Sequence, residues 1–371
     1  MARGPLGVGI SGIGWCAAQH IKAFQKNPKT RIVLLHGRDE ARARATLAKN
    51  GVSAPDAVFT KRYDDLLQSP DVDIISIATP NHLHAQQAVA AARAGKHILI
   101  EKPTGLDTRE LARIRDAVRK AKVRTIVSFE LRYNPYLRFV HWLRTSGRLG
   151  RIRFVRVQYL SRVTDWYAGW SWVRTKKSGR SHLLAAGCHA VDGLRWVSGL
   201  EPIEVSAYHT RFTKGYEWPT SIVANMKLTG GALGHVTSST DFMMPYSFGV
   251  ELMGDRATVR DNLLLWNEQK PDLDELRRAN PFPDVTLEPG TFGSASPAIR
   301  IVTRMPDSAD VEHHPFQGEI DELVEAVLAK RETHLNVPDA QKTMEVCIAA
   351  DRSAETGGRA VRLPLIRTRA R

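Results

Sequence analysis

Leu6-Gly7-Val8-Gly9-Ile10-Ser11-Gly12-Ile13-Gly14-Trp15-Cys16-Ala17 stands near the start of the chain, and it predicts a short apolar strand, a tight turn and a helix. Gly12, Gly14 and Ala17 form a GxGxxA pattern in that context. The first glycine permits the turn, the second lets a pyrophosphate approach the backbone, and the small alanine lets helix and strand pack closely. An ordinary glycine-rich turn is the alternative. We favour a dinucleotide site at the helix N-terminus, with contacts from Gly12, Ile13, Gly14, Trp15 and Cys16.

The pattern around this stretch predicts the architecture. Residues 1–128 alternate short apolar strands with helices, which indicates a parallel sheet covered on both faces. From residue 151 the chain has runs of apolar/polar alternation, and Gly230-Gly231 separates two of them like a hairpin turn. We therefore predict an α/β protein, with a doubly wound Rossmann domain over 1–128. The α/β domain over 129–371 should hold a large, open, mostly antiparallel sheet.

Three more helices are predicted in the second part of the chain. They cover about 181–198, 318–329 and 340–356, and glycines follow the first and the last of them. The stretch 265–315 is rich in Pro, Asp and Glu, so we expect irregular surface there.

Composition narrows the class of protein. The chain has 371 residues, 43% hydrophobic and 25% charged, which suits two globular domains. No apolar run is long enough to span a membrane, and no apolar signal segment precedes the first strand. Three widely spaced cysteines give no disulfide or zinc pattern, so a reducing cytoplasm is expected. His313 and His314 lack the spaced partners that a metal site needs.

The formal net charge of +14 lies mainly in the first third of the chain. Residues 1–128 hold 21 Lys and Arg against 11 Asp and Glu. Nucleic-acid binding is one interpretation. The basic residues are scattered along predicted helices without interleaved aromatics, however, so a solvated basic surface is favoured. A positive potential that attracts an anionic cofactor is a third interpretation.

The end of the second strand bears on the choice of nucleotide. An Asp or Glu about 20 residues beyond the glycine pattern would bind the ribose 2′-hydroxyl of NAD. Gly37 occupies that place and Arg38 follows it. A guanidinium offers a bidentate partner to a 2′-phosphate. We therefore expect NADP, with NAD possible.

Polar residues also follow two later strands. Thr79-Pro80-Asn81 with His84 comes after one apolar strand, and Glu101-Lys102-Pro103 comes after the next. Because ligands bind beyond the carboxyl ends of strands in an open parallel sheet, these segments should share one rim with the glycine turn and Arg38. The predicted cofactor contacts here are Thr79, Pro80, Asn81, His84, Glu101 and Lys102.

Together these segments resemble the glucose–fructose oxidoreductase, inositol dehydrogenase and MocA family. The resemblance spans nearly the whole chain, and its most specific part is the Glu101-Lys102-Pro103 segment after Ala94-Gly95-Lys96-His97-Ile98-Leu99-Ile100. Further matches are Arg132-Tyr133-Asn134-Pro135 and Gly187-Cys188-His189-Ala190-Val191-Asp192. The resemblance implies that Lys102 lies near nicotinamide and substrate, that His189 is the acid/base, and that the protein is a homodimer or homotetramer joined through its open sheet.

One position departs from the family pattern. The family usually has an aspartate one turn before the histidine, whereas this chain has Ala185. Helical spacing puts Ala185, His189 and Asp192 on one face. Either Glu130, His182 or a substrate hydroxyl replaces the aspartate, or the chemistry differs from simple dehydrogenation.

The sequence leaves three functions open. The favoured one is hydride transfer between nicotinamide and a sugar, polyol or keto-sugar. The second is a lyase, hydrolase or epimerase that keeps its nucleotide bound, and the third is a ligand-binding protein without catalysis. Predicted substrate contacts are Arg132, Trp172, Arg174, His189 and Asp192. Further candidate walls are Tyr133, Trp166, Tyr167 and Trp170, although interior packing explains any single tryptophan equally well.

Overall fold

The computed structural model describes residues 4–165, 167, 169–305 and 314–366. Its contacts divide the chain into two compact units. The first comprises 1–130, 165–180 and 315–344, and the second comprises 131–164, 181–314 and 345–371. The sequence pattern predicts a single boundary, after residue 128. In the structure, two later stretches also pack with the first unit.

The first unit is built on a parallel sheet of six strands in the order β3-β2-β1-β4-β5-β6. That is the strand order of a dinucleotide-binding Rossmann fold, so the predicted fold class is confirmed. Its elements are β1 (Leu6–Ser11), α1 (Trp15–Lys26), β2 (Thr30–His36), α2 (Glu40–Lys49), β3 (Val58–Thr60), α3 (Tyr63–Gln68), β4 (Ile74–Ile77), α4 (Asn81–Arg93), β5 (His97–Ile100), α5 (Thr108–Ala121) and β6 (Thr125–Val127).

The central strands of this sheet are buried on both faces. Every residue of β1 and β4 is buried, which explains their continuous apolar runs. α1 buries Ala17, Ala18, Ile21 and Phe24 along one side, so the small residue of the glycine pattern does lie at a packed surface. The helices of the unit therefore cover both faces of the sheet.

The second unit contains a sheet of ten strands in the order β14-β15-β13-β12-β11-β7-β10-β9-β8-β16. Only the β7–β10 pair is parallel among its pairings, so the predicted open, mostly antiparallel sheet is confirmed. The remaining elements of the chain are α6 (Pro135–Thr145), β7 (Ile152–Leu160), α7 (Trp170–Val173), α8 (Cys188–Ser198), β8 (Pro202–Thr210), β9 (Ser221–Leu228), β10 (Leu233–Ser239), β11 (Ser247–Gly254), β12 (Thr258–Arg260), β13 (Leu263–Leu265), α9 (Leu273–Ala279), β14 (Thr286–Phe292), β15 (Ser296–Val302), α10 (Phe316–Ala329), α11 (Val337–Glu355) and β16 (Val361–Arg362).

One face of this sheet packs on α8. The side chains of Val157, Val236 and Phe248 are buried on that face, and Gly193 of α8 lies close enough to Phe248 that a β-carbon there would come within 3.0 Å of its ring. The alternate positions point the other way: on β9 they are mostly exposed, and on β10 Leu233 is exposed while His235 and Thr237 are half-buried. The sheet is thus covered on one face and open on the other within this chain.

The prediction of irregular structure over 265–315 was wrong for 273–279, 286–292 and 296–302, and its part over 306–313 lies outside the described residues. Residues 273–279 form α9, and 286–292 pair with 296–302 as the antiparallel strands β14 and β15. Pro289 lies within β14, which is the edge strand of the sheet, and edge strands tolerate proline. Among the described residues, no helix is long and apolar enough to cross a membrane.

Candidate functional site

The strand ends of the first unit are in register. Ser11 of β1 pairs with His36 and with Ile77, Ile77 pairs with Ile100, and Ile100 pairs with Val127. All five strands therefore stop at one level. The glycine turn, Gly37-Arg38, Thr79-Pro80-Asn81 and Glu101-Lys102 all begin just beyond it, and we call this edge the rim.

The glycine turn has the shape that a pyrophosphate requires. Gly12 has φ +85°, and a β-carbon there would lie 2.7 Å from the carbonyl oxygen of Ala78, so only glycine fits. A β-carbon on Gly14 would meet no atom within 4 Å. The first turn of α1 holds no acidic residue, and no side chain caps it. An anion with several acceptor oxygens matches this set of backbone donors, so the residues present fit a dinucleotide.

The end of β2 carries a positive charge and no free carboxylate. Arg38 is exposed. The Asp39 side chain caps α2 by accepting a hydrogen bond from the Arg42 N–H at 2.9 Å. Gly37 has space for a side chain. A β-carbon added there would lie 3.4 Å from the nearest atom, which belongs to the Phe59 ring.

The loop after β4 is held by internal hydrogen bonds. The Thr79 hydroxyl donates to Gln87 Oε1 at 2.8 Å, and Pro80 precedes α4 as its N-cap. The Asn81 side-chain amide donates to the Ser178 carbonyl at 2.9 Å, so this amide also serves the fold. His84 has both ring nitrogens on main-chain carbonyls. Because both ring nitrogens contact the main chain, neither supports the prediction that the ring binds the nucleotide directly.

Lys102 emerges from a buried segment. Glu101 and residues 103–106 are all buried, while Lys102 is half-buried. Burial opposes ionisation of Glu101, but its contact with His20 and the charge of Lys102 outweigh burial and lower the pKa of the carboxyl. Glu101 is thus an ionised group beneath the rim, adjacent in sequence to the candidate catalytic ammonium.

Two buried residues that the sequence analysis missed surround Glu101. His20 Nε2 lies 3.3 Å from Glu101 Oε1 and 3.9 Å from Glu319 Oε1, and its Nδ1 is 2.9 Å from the Ser76 hydroxyl. The pKa of Glu319 is raised well above its ordinary value by burial and by the charges of Glu130 and Glu101. His20 could have been noticed as a polar residue on the buried side of α1. Glu319 could not, because only folding brings it to Glu101.

Cys16 is a poor nucleophile in this setting. Burial raises the pKa of its thiol well above the ordinary value, and the charge of Glu101 acts in the same direction. The thiol therefore stays protonated near neutral pH. A packing role beside the glycine turn suits it better than covalent chemistry.

His189 occupies an aromatic pocket in the second unit. It is 2% exposed, and its ring stacks on Tyr159 with centroids 5.8 Å apart. The His314 ring stands edge-on to it at 6.3 Å. Burial among these rings restricts the access of water to the His189 imidazole.

The helix before His189 departs from α geometry. Residues 183–187 form a π-helical turn, and α8 begins only at Cys188. The prediction that Ala185 shares a face with His189 assumed α spacing, whereas Ala185 lies in the π turn and His189 lies in α8. The spacing of His189 and Asp192 holds, because both lie in α8. π turns are frequent at functional sites, and Gly187 is needed here, since its β-carbon would come within 1.9 Å of Ser238 Oγ.

Asp192 is paired with Arg132. The guanidinium donates from Nε to Oδ2 at 2.7 Å and from Nη2 to Oδ1 at 2.6 Å, and both side chains are buried. The guanidinium also lies over the Trp196 ring at 5.0 Å. The substrate contacts predicted for Arg132 and Asp192 would have to coexist with this bidentate pair.

His182 is hydrogen-bonded on both sides of its ring. Nδ1 lies 2.7 Å from the Ser238 hydroxyl and Nε2 lies 3.2 Å from the Ser161 hydroxyl. It is therefore built into the fold. This arrangement disfavours His182 as a replacement for the aspartate that Ala185 lacks.

Trp172 and Arg174 lie in and just after α7, both half-buried, within a stretch that packs with the first unit. The Tyr167 ring meets Trp172 edge-on at 6.3 Å. Trp166 and His313 lie outside the described residues. Within the described part of the chain, no group of three His, Cys, Asp or Glu residues is arranged to hold a metal ion.

Comparison with known proteins identifies the family. Residues 6–129 match a model described as an oxidoreductase family with an NAD-binding Rossmann fold, and 137–260 match the C-terminal domain model of that family. The chain belongs to the Gfo/Idh/MocA oxidoreductases. This confirms the resemblance seen in the sequence and makes the first unit the NAD-binding Rossmann domain of a Gfo/Idh/MocA protein.

Relatives in sequence and solved structures agree with this family. An uncharacterised oxidoreductase of Synechocystis is 33% identical over 54% of this chain and 53% of its own length. The levoglucosan dehydrogenase of Pseudarthrobacter phenanthrenivorans is 32% identical over 52% of this chain and 51% of its own. The chain thus spans about half the length of these two relatives. The WlbA dehydrogenase from Bordetella pertussis, solved with NADH and UDP-GlcNAcA, has the same fold with a TM-score of 0.81 at 22% identity, over 99% of this chain and 100% of that one.

Proposed function

We propose that this protein is an NADP-preferring oxidoreductase that interconverts a secondary alcohol and a ketone on a sugar, polyol or keto-sugar. The observation that carries the proposal is the register of the strand ends. This register brings the glycine turn, whose backbone N–H groups suit an anion, to the same rim as Arg38 and Lys102. Family membership supports a nicotinamide nucleotide at such a rim, and the nucleotide supplies C4 of its ring as the acceptor or donor of hydride.

The preference for NADP rests on charge. The carboxylate that would bind a ribose 2′-hydroxyl is absent at Gly37, Asp39 is engaged in capping α2, and Arg38 is exposed beside them. A 2′-phosphate would gain a guanidinium partner and meet no opposing free carboxylate at Gly37. NADH in the solved relatives supports nicotinamide binding in general and leaves NAD as the competing choice for this chain.

Lys102 and His189 are the proposed acid–base groups. Oxidation of an alcohol removes hydride from carbon and a proton from the hydroxyl. We assign the proton to His189, because imidazole is the side chain whose ordinary pKa lies near neutral pH. We assign stabilisation of the alkoxide-like oxygen to the Lys102 ammonium. For reduction of a ketone the same groups work in reverse.

A carbohydrate substrate is supported by chemistry and by relatives. Trp172 offers a ring face, and Arg174 and Arg132 offer hydrogen-bond donors, a combination that suits sugar rings and hydroxyls. The levoglucosan dehydrogenase relative acts on a sugar derivative by its name. His189 and Asp192 remain proposed substrate contacts as well.

Ala185 supports a second candidate function. Because the family aspartate is missing, the protein could keep its nucleotide bound and act as a lyase, hydrolase or epimerase through transient oxidation. Native mass spectrometry of the purified protein, followed by nicotinamide absorbance with a panel of sugars and polyols, separates the two. Free exchange of NADP with net absorbance change supports the dehydrogenase. A retained nucleotide with substrate turnover and no net change supports the second candidate, and no turnover at all would favour a ligand-binding role.

The open sheet face is the proposed subunit interface. Tyr208 and Val223 are directly paired across β8 and β9 and are 60% and 40% exposed, with Ile203 and Leu233 also exposed. Apolar side chains on an uncovered face favour association. We propose a homodimer or homotetramer formed through this face.

A further inference from the structure

His84 joins two loops of the rim. Its Nε2 lies 2.6 Å from the carbonyl oxygen of Thr79 and its Nδ1 lies 2.8 Å from the carbonyl oxygen of Pro103. The side chain is 1% exposed. Thr79 belongs to the loop after β4, and Pro103 belongs to the loop after β5. A single ring therefore connects these two loops, and the second of them carries Lys102.

Carbonyl oxygens can only accept hydrogen bonds, so each of these contacts needs an N–H. A neutral imidazole has one N–H and the protonated ring has two. Burial lowers the pKa of His84, the two carbonyls and Glu101 raise it, and Lys102 lowers it. Together these effects lower the pKa of His84 from its ordinary value, with burial the largest cause. The neutral ring therefore donates one hydrogen bond, and the bond to Pro103 is the one that bears on the lysine.

We propose that His84 is a positioning residue that holds Lys102 at the rim by fixing the carbonyl of Pro103. The inference deepens the proposed function and rests on it, because it assigns Lys102 to the reacting alcohol. Lys102 is the half-buried residue within the otherwise buried segment 101–106, so the direction of its long side chain follows from how its backbone is held. A displacement of about 1 Å in a catalytic group can reduce the rate on the order of a hundredfold.

Two variants separate the contacts of His84. The amide nitrogen of asparagine reaches the position of Nδ1, and that of glutamine reaches the position of Nε2. His84→Asn can therefore keep the bond to Pro103, and His84→Gln can keep the bond to Thr79. Each variant can pair with one of the two buried carbonyls and not with the other, so a purely structural role should affect both variants to a similar degree.

The first experiment measures kcat and KM separately, with a sugar or polyol found active in the panel. We expect His84→Gln to lower kcat about 10–100-fold while the dissociation constant for NADP changes little, and His84→Asn to stay close to wild type. Equal losses in both variants, or loss in His84→Asn alone, would overturn the proposal. If glutamine at 84 prevents folding, His84→Asn decides alone, and a tenfold or larger loss of kcat in it would be the contrary result.

The second measurement does not depend on activity. Acetic anhydride at limiting dose acylates lysines, and peptide mass spectrometry reports the rate at Lys102 with and without NADP. We expect protection by NADP in wild type and in His84→Asn, and loss of protection in His84→Gln. The same pattern in both variants would contradict the role of His84. Absence of turnover with every substrate, together with the expected acylation pattern, would refute the proposed function and leave the positioning of Lys102 supported.

Discussion

At the scale of single residues, the position after β2 controls which charge the adenosine end of a nucleotide would meet. Gly37→Asp places a carboxylate where NAD-specific proteins have one, and a built β-carbon there meets only the Phe59 ring and Ile13 at ordinary contact distances. We expect it to weaken NADP binding at least about tenfold through charge repulsion, and Arg38→Ala to weaken it by a similar factor.

Titration of NADPH and NADH into each variant, followed by the fluorescence of the reduced nicotinamide, measures this effect. Arg31→Ala is the matched control, because Arg31 lies on the same strand away from the rim and approaches Asp71 at 3.4 Å. Tighter binding of NAD than NADP by the unmodified protein would show that Arg38 does not select the phosphate.

The acid–base assignment is also a matter of single residues. Lys102→Ala and His189→Ala should each lower the single-turnover rate at least about a hundredfold, since general acid–base groups contribute that much or more. His189→Ala should still bind NADP. The double variant should lose less than the product of the two losses, because residues that act as a unit are not additive. Wild-type rates in both folded single variants would rule out this pair.

At the scale of elements, α10 brings Glu319 against the buried end of β5. A carboxyl whose pKa is raised by folding binds a proton more readily in the folded than in the unfolded state. The free energy of unfolding therefore falls as the pH rises above the ordinary pKa of 4.5 toward the raised value. Glu319→Gln removes this penalty and keeps an oxygen for the Ser128 hydroxyl, which donates at 2.9 Å.

We expect Glu319→Gln to raise Tm relative to wild type on the order of 2–4 °C near pH 8, and to lose that advantage toward pH 4. Thermal unfolding followed by circular dichroism across that pH range measures it. Glu325→Gln is the control on the same helix, because Glu325 is exposed and approaches Arg331 at 3.4 Å. A pH profile parallel to that of wild type would mean that Glu319 does not hold its proton.

At the scale of the whole molecule, the proposed subunit interface is open to a direct test. Val223→Arg puts a charge in the middle of the exposed sheet face. We expect it to shift the protein toward monomer, because burying an unpaired charge is costly. Analytical ultracentrifugation gives the subunit count. Val58→Arg, at an exposed position on β3 in the first unit, is the control. An oligomer unchanged by Val223→Arg would place the interface elsewhere.

The features of this protein that depend on local chemistry could be predicted from its residues alone. The glycine pattern, the strand–helix alternation and the alternating strands after residue 151 predicted both sheets, because backbone conformation and side-chain periodicity are local properties. The placement of Arg38, Asn81 and Lys102 on one rim also followed, since parallel strands end together. The stretch 265–315 was misjudged because an edge strand accepts the proline and charges that resemble a loop.

Only the tertiary structure decided what the candidate residues contact. The pairing of Asp192 with Arg132, the two hydroxyls on His182 and the π turn before His189 all depend on partners distant in sequence or on packing against another strand. His84 is the clearest case, because its position predicted a ligand contact and folding gave both of its nitrogens to backbone carbonyls. The sequence gives the chemistry of a side chain, but its hydrogen-bond partners depend on which groups are buried beside it in the folded protein.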